Sequence, residues 1–306
     1  MKFNKLELIL KKFFELIRFF FNLKDLIEDI KVNQGIILTF NNLTKTSNDI
    51  KEYEFKIFSQ GGEDGILQHL INSIEIKNKT FIEFGVEDFY ESNCRFLLMK
   101  NKYKGFIIDS SKKNIRRLKN YNYFLKNNLI AVNYFVNVDN ISNILQMSNF
   151  EEDLAVLSVD LDGNDYFIIE KINNFKPRIL IAEYNSLFGD YRKISIPYQS
   201  DFNMTKAHYS NLYFGASLAA ITYIANKKGL ELVGTTSDGI NAFFVRRDLL
   251  NNKIKAISVK SAFTKINLHT SRDKNYNLSF LSYNQKQDLI KNMPVFEVEK
   301  KIYENF

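Results

Sequence analysis

The sequence predicts an α/β protein built on a mostly parallel, seven-stranded sheet with helices on both faces, a terminal antiparallel hairpin and an N-terminal amphipathic helix. Three observations carry this reading. Short runs that are apolar throughout alternate with segments of helical period, the pattern of strands buried on both faces. The last two apolar runs flank a turn-forming cluster, so one of them must run against its neighbour. Ahead of them all, apolar residues step by threes and fours.

The N-terminal stretch "MKFNKLELILKKFFELIRFFFNLKDLIEDIK" places Leu6, Ile9, Leu10, Phe13, Ile17, Phe20, Leu23, Ile27 and Ile30 at helical spacing. Glu7, Lys11, Lys12, Glu15 and Arg18 interrupt it too often for a membrane span or a signal-peptide core. Residues 1–50 are therefore expected to form a helical segment that packs on the main domain or on a second copy in a homodimer. Its aromatics and lysines also suit peripheral contact with a membrane surface.

The sheet is read from residues 51–250. "KTFIEFG" (79–85) is a strand followed by the helical "YESNCRFLLMKN"; "GFIIDS" (105–110) is followed by "KKNIRRLKNY", and "LIAVNYFV" (129–136) by "ISNILQMS". "LAVLSVDLD" (154–162) and "RILIAEYN" (178–185) are the fourth and fifth strands, with "YFIIEKINNF" between them. A helix is expected over 212–229, ending at Gly229, and "LELVGTTSDGINAFFVRR" (230–247) is the hairpin. The long, aromatic segment 186–211 reads as a substrate lid, because loops of that length inside a compact domain are usually functional. Residues 251–306, rich in Lys and Asn, read as a C-terminal appendage.

Composition narrows the function. The 306 residues are 45% hydrophobic and 25% charged, an ordinary globular balance. Cys94 is the only cysteine, which excludes an intramolecular disulfide and a Cys-based zinc cluster and suits a reducing cytoplasm. The net charge of +7 would suit nucleic acid, anionic lipid or a phosphorylated substrate. The lysines are interleaved with acids, however, and no Arg-rich arm or zinc finger appears, so no nucleic-acid partner is expected. The expected location is the cytoplasm, at the inner face of the membrane if the helix lies there.

The chemistry gathers at the strand ends, where ligands bind in open parallel sheets. "VLSVDLDGNDYFIIEKI" (156–172) runs from an apolar strand straight into Asp160, Asp162 and Asp165. Like charges so close repel unless a cation, a donor or a proton answers them. The other strands end in Glu83, Gly85, Glu87 and Asp88; in Asp109 and Ser110; near Asn137 and Asp139; and in Glu183 and Asn185. Gly85 permits a tight turn against a ligand. An acid one strand over and roughly 20–25 residues on, as Asp109 is, suits ribose hydroxyls. Neither G-x-G-x-x-G nor G-x-x-x-x-G-K-[ST] occurs, so the acid crown fits a cationic nucleoside such as S-adenosylmethionine better than a polyanionic one. Asp160, Asp162, Glu183 and Asn185 end strands expected to be neighbours, about 4.8 Å apart, and could share Mg²⁺ or Mn²⁺. Equally, the acids could serve only backbone amides.

The stretches "SQGGEDGIL", "FIEFGVEDFYESNCRFLL", "GFIIDSS", "FVNVDNI", "LSVDLDGNDY", "PRILIAEYNSLFG", "AHYSNLYFGASL" and "GLELVGTTSDGINAFFVRRD" run from Ser59 to Asp248. On these the chain resembles class I S-adenosylmethionine-dependent methyltransferases, which have a Rossmann-like seven-stranded sheet. It is most similar to a group of bacterial methyltransferases found with capsule and lipopolysaccharide sugar genes. Phe89 departs from the general pattern, which often has a second glycine there. The resemblance implies cofactor contacts at Glu83, Gly85, Asp109, Ser110, Asp139 and Asp160, joined by Gln60 and Asp64.

His208, the one histidine in a matching motif, is the expected general base, with Asp162 next; His69 and His269 look ordinary. The implied reaction is O-methylation of a bacterial surface-polysaccharide sugar, nucleotide-linked, such as a GDP-heptose of capsule biosynthesis. Lys193, Lys206, Arg246 and Arg247 could meet its phosphates. Two alternatives stand beside it: a metal-dependent glycosyltransferase using Asp160-Leu161-Asp162, and a non-catalytic membrane-apposed scaffold.

Overall fold

The structure, a computed structural model, describes residues 5–266 and 271–306; His269 lies outside the described residues. Among the described residues there are ten strands: β1 Thr80–Phe84, β2 Lys104–Asp109, β3 Leu129–Asn133, β4 Val156–Val159, β5 Ile179–Glu183, β6 Ile194–Ser195, β7 Leu230–Thr235, β8 Asn241–Arg246, β9 Pro294–Glu297 and β10 Ile302–Asn305. Seven of them form one sheet in the order β3-β2-β1-β4-β5-β8-β7. The pairs among β1 to β5 are parallel, while β8 runs antiparallel to both β5 and β7. This is the predicted α/β Rossmann-like sheet with its reversed hairpin strand.

Period-two alternation sorts the strand side chains into two cores. Ile82, Phe84, Phe106, Ile108, Leu157 and Val159 face one side with the helices Asp165–Lys171 and Leu218–Lys227. Phe81, Ile107, Val156, Ile179 and Phe243 face the other with Glu63–Ser73 and Arg95–Asn101. Predicted helices start later than their patterns. Ser92, Asn93 and Cys94 are held back because they hydrogen-bond Glu83, and the helix expected from 212 starts at Leu218, where Ser217 Oγ accepts the Ala220 N–H at 3.0 Å as N-cap.

The N-terminal helix spans Lys5–Leu43. Its second half docks on the domain. Arg95 pairs with Glu28 at 2.7 Å, and Asn42 Nδ2 donates to the Tyr53 carbonyl at 2.6 Å. Its first half projects. Leu8, Phe13, Phe14, Leu16 and Phe19 are each about half exposed or more, and they lie on different sides of the helix. The predicted single apolar stripe is thus corrected to apolar side chains around most of the circumference, more than one docked face can cover. No described helix is long and apolar enough to cross a membrane.

The segment after Asp248 is joined to residues 186–211, the segment expected to be a lid. β9 pairs antiparallel with β6, which lies within residues 186–211, and β10 flanks β9. Tyr283 Oη donates to the Ser186 carbonyl at 2.6 Å, Gln287 Nε2 to the Leu187 carbonyl at 2.8 Å, and Ile266 N–H to Ser186 Oγ at 2.8 Å. A small core of Leu187, Phe188, Ile194, Tyr213, Ile290 and Val295 forms beneath this contact.

Candidate active site

Strand order reverses between β1 and β4, and a cleft opens there at the carboxyl edge of the sheet. Gly85 sits at the crossing with φ +69°, and a Cβ on it would lie 1.8 Å from the Asp160 carbonyl oxygen. Only glycine meets both demands. The cleft has two lobes that share Gly85, Glu87, Asp160 and Asp162. The larger, about 410 Å³, is walled partly by residues of the segment 186–211; the smaller, about 280 Å³, reaches Asp109, Ser110 and the loop after β3.

On the β1 side the acids are answered by donors. Glu83 is buried and accepts from Ser92 Oγ at 2.6 Å, Asn93 N–H at 2.8 Å and Cys94 N–H at 3.2 Å. Burial pushes its carboxyl up to about 7 even though these bonds oppose the rise. Asp109 accepts from Glu87 N–H at 2.8 Å and Ser111 N–H at 2.7 Å, so it also ties the turn after β1 to the start of the next helix. Burial raises it against those bonds.

On the β4 and β5 side the acids face one another. Asp160, Asp162 and Glu183 each place a carboxylate oxygen within 4.8 Å of the others. Glu183 is buried, and its Oε2 has no hydrogen-bond partner among the described residues. Burial, and then the neighbouring carboxylates, hold Asp160 and Glu183 well above the usual carboxylate range. Asp162 opens to the cleft mouth, yet protein walls its other sides, and the resulting desolvation raises it too. Asp162 has φ +54°, an uncommon conformation for a non-glycine residue. Such a cluster binds either a shared proton or a cation.

The rest of the "DLDGND" motif builds the frame. Asp165 accepts from Leu161 N–H at 2.8 Å and Gly163 N–H at 3.1 Å, closing the turn, and burial raises its carboxyl to about 6. A Cβ on Gly163 would lie 2.2 Å from the Phe202 ring of the lid, so the glycine is the seat for that ring. Asn164 Nδ2 donates to the Gln199 carbonyl at 2.7 Å, which fixes the lid to the end of β4.

Gln60, Glu83, Gly85, Asp160, Asp162, Glu183 and Asn185 line the larger lobe; Asp109 and Ser110 line the smaller. Asp64 is turned inward. Its Oδ2 accepts the N–H groups of Ile57, Phe58 and Ser59 at 2.6–2.8 Å, so it shapes the preceding loop, and it lines neither lobe. Asp139 is exposed on the loop after β3 and lines neither lobe. Asn185 has both polar atoms engaged: Oδ1 accepts Leu187 N–H at 3.0 Å, and Nδ2 donates to the carbonyls of Leu212 and Phe214. It therefore braces the loop at 212–214 against the end of β5.

His208 ends the short helix Met204–Ala207 and is absent from the lining of both lobes, although Met204, Asn211 and Leu212 on either side are present in the larger. Its Nδ1 lies 2.7 Å from Ser210 Oγ, and burial lowers its basicity. His69 stacks on Tyr53 at 3.5 Å between ring centroids, and burial lowers it to about 4. Of the cations expected to meet phosphates, Lys193 is paired with Glu299, Arg246 with Asp153 and Asp248, and Arg247 with Glu231. The residues missed from sequence are Ile266 and Arg272, which reach the larger lobe from the C-terminal segment.

No protein-family model matches this chain, and no curated protein matches it in sequence. Solved structures similar to it include the N-terminal domain of EvdMO1 with SAH bound, at 8% identity over 61% of this chain and 80% of that one, with a TM-score of 0.39. The Methanococcus jannaschii fibrillarin pre-rRNA processing protein is 10% identical over 59% of this chain and 74% of that one, with a TM-score of 0.37. An O-methyltransferase family protein from Burkholderia thailandensis is 12% identical over 71% of each chain, with a TM-score of 0.36. These likenesses are too distant to assign an activity.

Proposed function

We propose that the protein is an S-adenosylmethionine-dependent O-methyltransferase acting on a hydroxyl of a bacterial surface-polysaccharide sugar, nucleotide-linked and of the GDP-heptose kind. The observation that carries this reading is the two-lobed cleft at the strand-order reversal, with Gly85 at the crossing and Asp109 at the end of β2. The smaller lobe suits the nucleoside, with Asp109 and Ser110 beside the ribose, and Gly85 permits close approach of the methionine part. The larger lobe, between the acid cluster and the lid, suits the acceptor.

In this arrangement the acceptor oxygen attacks the methyl carbon, the sulfur–methyl bond breaks with its electron pair staying on sulfur, and the hydroxyl proton passes to a carboxylate. Asp162 is the base we assign, since it faces the opening and its raised proton affinity improves its grip on that proton. His208 supports the lid through Ser210. The cluster also fits a divalent cation: its donors are hard oxygens, and one buried oxygen of Glu183 lacks a partner. Asp160, Asp162 and Glu183 would hold Mg²⁺ or Mn²⁺, which when bound would lower the pKa of the acceptor hydroxyl. The domain reading continues here as part of the proposal: a sheet domain over 51–250, a lid over 186–211 braced by residues 251–306, and an N-terminal docking helix.

Calorimetry with S-adenosylhomocysteine tests the assignment. One molecule should bind per chain, and Asp109→Ala should weaken binding by roughly 2–3 kcal/mol, the worth of charge-assisted bonds to ribose. Binding of a sugar nucleotide but not of S-adenosylhomocysteine would favour the glycosyltransferase instead.

A further inference from the structure

Six acidic residues line the larger lobe: Glu83, Glu87, Glu91, Asp160, Asp162 and Glu183. Arg272 is the only Lys or Arg among its lining residues. Among the described residues no carboxylate lies within ion-pair distance of Arg272. A cation facing that many acids would ordinarily collapse onto one of them. Here the backbone at Arg272 is held by its neighbours. Arg272 N–H donates to the Ser210 carbonyl at 3.0 Å, Arg272 bridges Leu278, and Ser271 Oγ donates to the Ser279 carbonyl at 2.7 Å. Asp273 closes the turn by accepting from Asn275 and Asn277 N–H. The guanidinium has five N–H donors, and the one hydrogen bond its side chain makes among the described residues is from Nη1 to the Tyr276 carbonyl at 3.0 Å.

A guanidinium with donors to spare, on a backbone held in place at the wall of an otherwise acidic cavity, suits a planar or tetrahedral anion carried in by a ligand. The contact to Ser210 also gives the lid motif "AHYSN" a purpose. His208 holds Ser210, and Ser210 holds the backbone of Arg272.

We propose that Arg272 is the anion-binding residue of the larger lobe and takes the phosphate or carboxylate oxygens of the ligand that enters it. The inference rests on the methyltransferase reading only in calling that ligand the acceptor. An anion at Arg272 would anchor one end of the acceptor and leave a hydroxyl at the far end free to reach the acid cluster.

The test is calorimetric titration of the wild type, Arg272→Gln and Arg272→Lys with GDP as the phosphate probe and glucuronate as the carboxylate probe, with and without Mg²⁺. At least one probe should bind the wild type, and Arg272→Gln should weaken it roughly ten- to hundredfold, with Arg272→Lys in between. Which probe responds identifies the source of the anion. Equal affinity in wild type and Arg272→Gln, or no binding of either probe to the wild type, overturns the proposal. S-adenosylhomocysteine titrated into the same proteins separates the two readings. If it fails to bind while probe binding still depends on Arg272, the methyltransferase assignment falls and this one stands.

Discussion

At the end of β1 a buried glutamate, Glu83, accepts three hydrogen bonds from the loop behind it; at the end of β5 a buried glutamate, Glu183, has an oxygen with no partner among the described residues. The two sit at the same edge of one sheet, and burial raises both carboxyls. What differs is the partner. Glu83 faces a hydroxyl and backbone amides, which make it part of the scaffold. Glu183 faces Asp160 and Asp162, which make it costly unless something arrives. A buried acid surrounded by donors builds structure, and one surrounded by acids must take up a proton or a cation.

Asp162→Asn tests this contrast hardest. The substitution removes the assigned base while keeping the shape, so turnover should fall about 10²–10⁴-fold with S-adenosylhomocysteine affinity nearly intact. Unchanged turnover, measured by methyl transfer to any active acceptor, would move the base elsewhere. Glu83→Gln should act on stability instead. An amide oxygen cannot replace two carboxylate oxygens for three donors, and each buried donor left unpaired costs roughly 1–3 kcal/mol in a denaturant titration. A neutral outcome there would erase the difference between the two sides.

Asp160→Asn should have the opposite sign. Asp160 is held well above the usual range, so the folded state keeps a proton that the unfolded chain releases above about pH 4. Native stability therefore declines as pH rises through the window above that value, and the variant should flatten the decline. Melting temperatures at pH 5 and pH 8 check this. The wild type should lose more than Asp160→Asn, and Mg²⁺ should restore only the wild type. The smallest effect is expected at His208. With its ring outside the cleft lining and its Nδ1 on Ser210, His208→Ala should lower turnover less than about tenfold, short of the loss typical of a general base. A larger loss, with the acidic limb of the pH profile gone, would return the base role to it.

The sheet was legible because each strand is an uninterrupted apolar run, and β-rich runs buried on both faces leave that mark in any parallel sheet. The acids at the strand ends were legible for the same reason, since they follow those runs directly. Their partners were not. Nothing in "GGEDG" says that Asp64 turns back onto three amides, and nothing after "FVNVDN" says that Asp139 points away from the cleft. Orientation depends on the loop's path, which local spacing does not encode. Arg272 was hidden for a different reason. It reaches the cleft beside Ser210, whose carbonyl accepts its backbone N–H from far away in sequence, in a region whose polar composition carries no period. The projecting half of the N-terminal helix misled in its own way: threes and fours were counted on one face while Leu8, Phe14, Leu16 and Phe19 filled the others.

The pairing of β6 with β9 also sets an order of events on the ribosome. β8, the last strand of the large sheet in chain order, ends at Arg246, so that sheet can close while the lid still lacks its partner strand at 294–297. At typical elongation rates the interval between synthesis of β6 and of β9 is roughly 5–20 s, long compared with hairpin formation or hydrophobic collapse. A nascent chain thus passes through a stage with a finished floor of carboxylates and an unfinished roof. The acid cluster is then open to solvent and ions, and the last wall to arrive encloses whatever has already settled there.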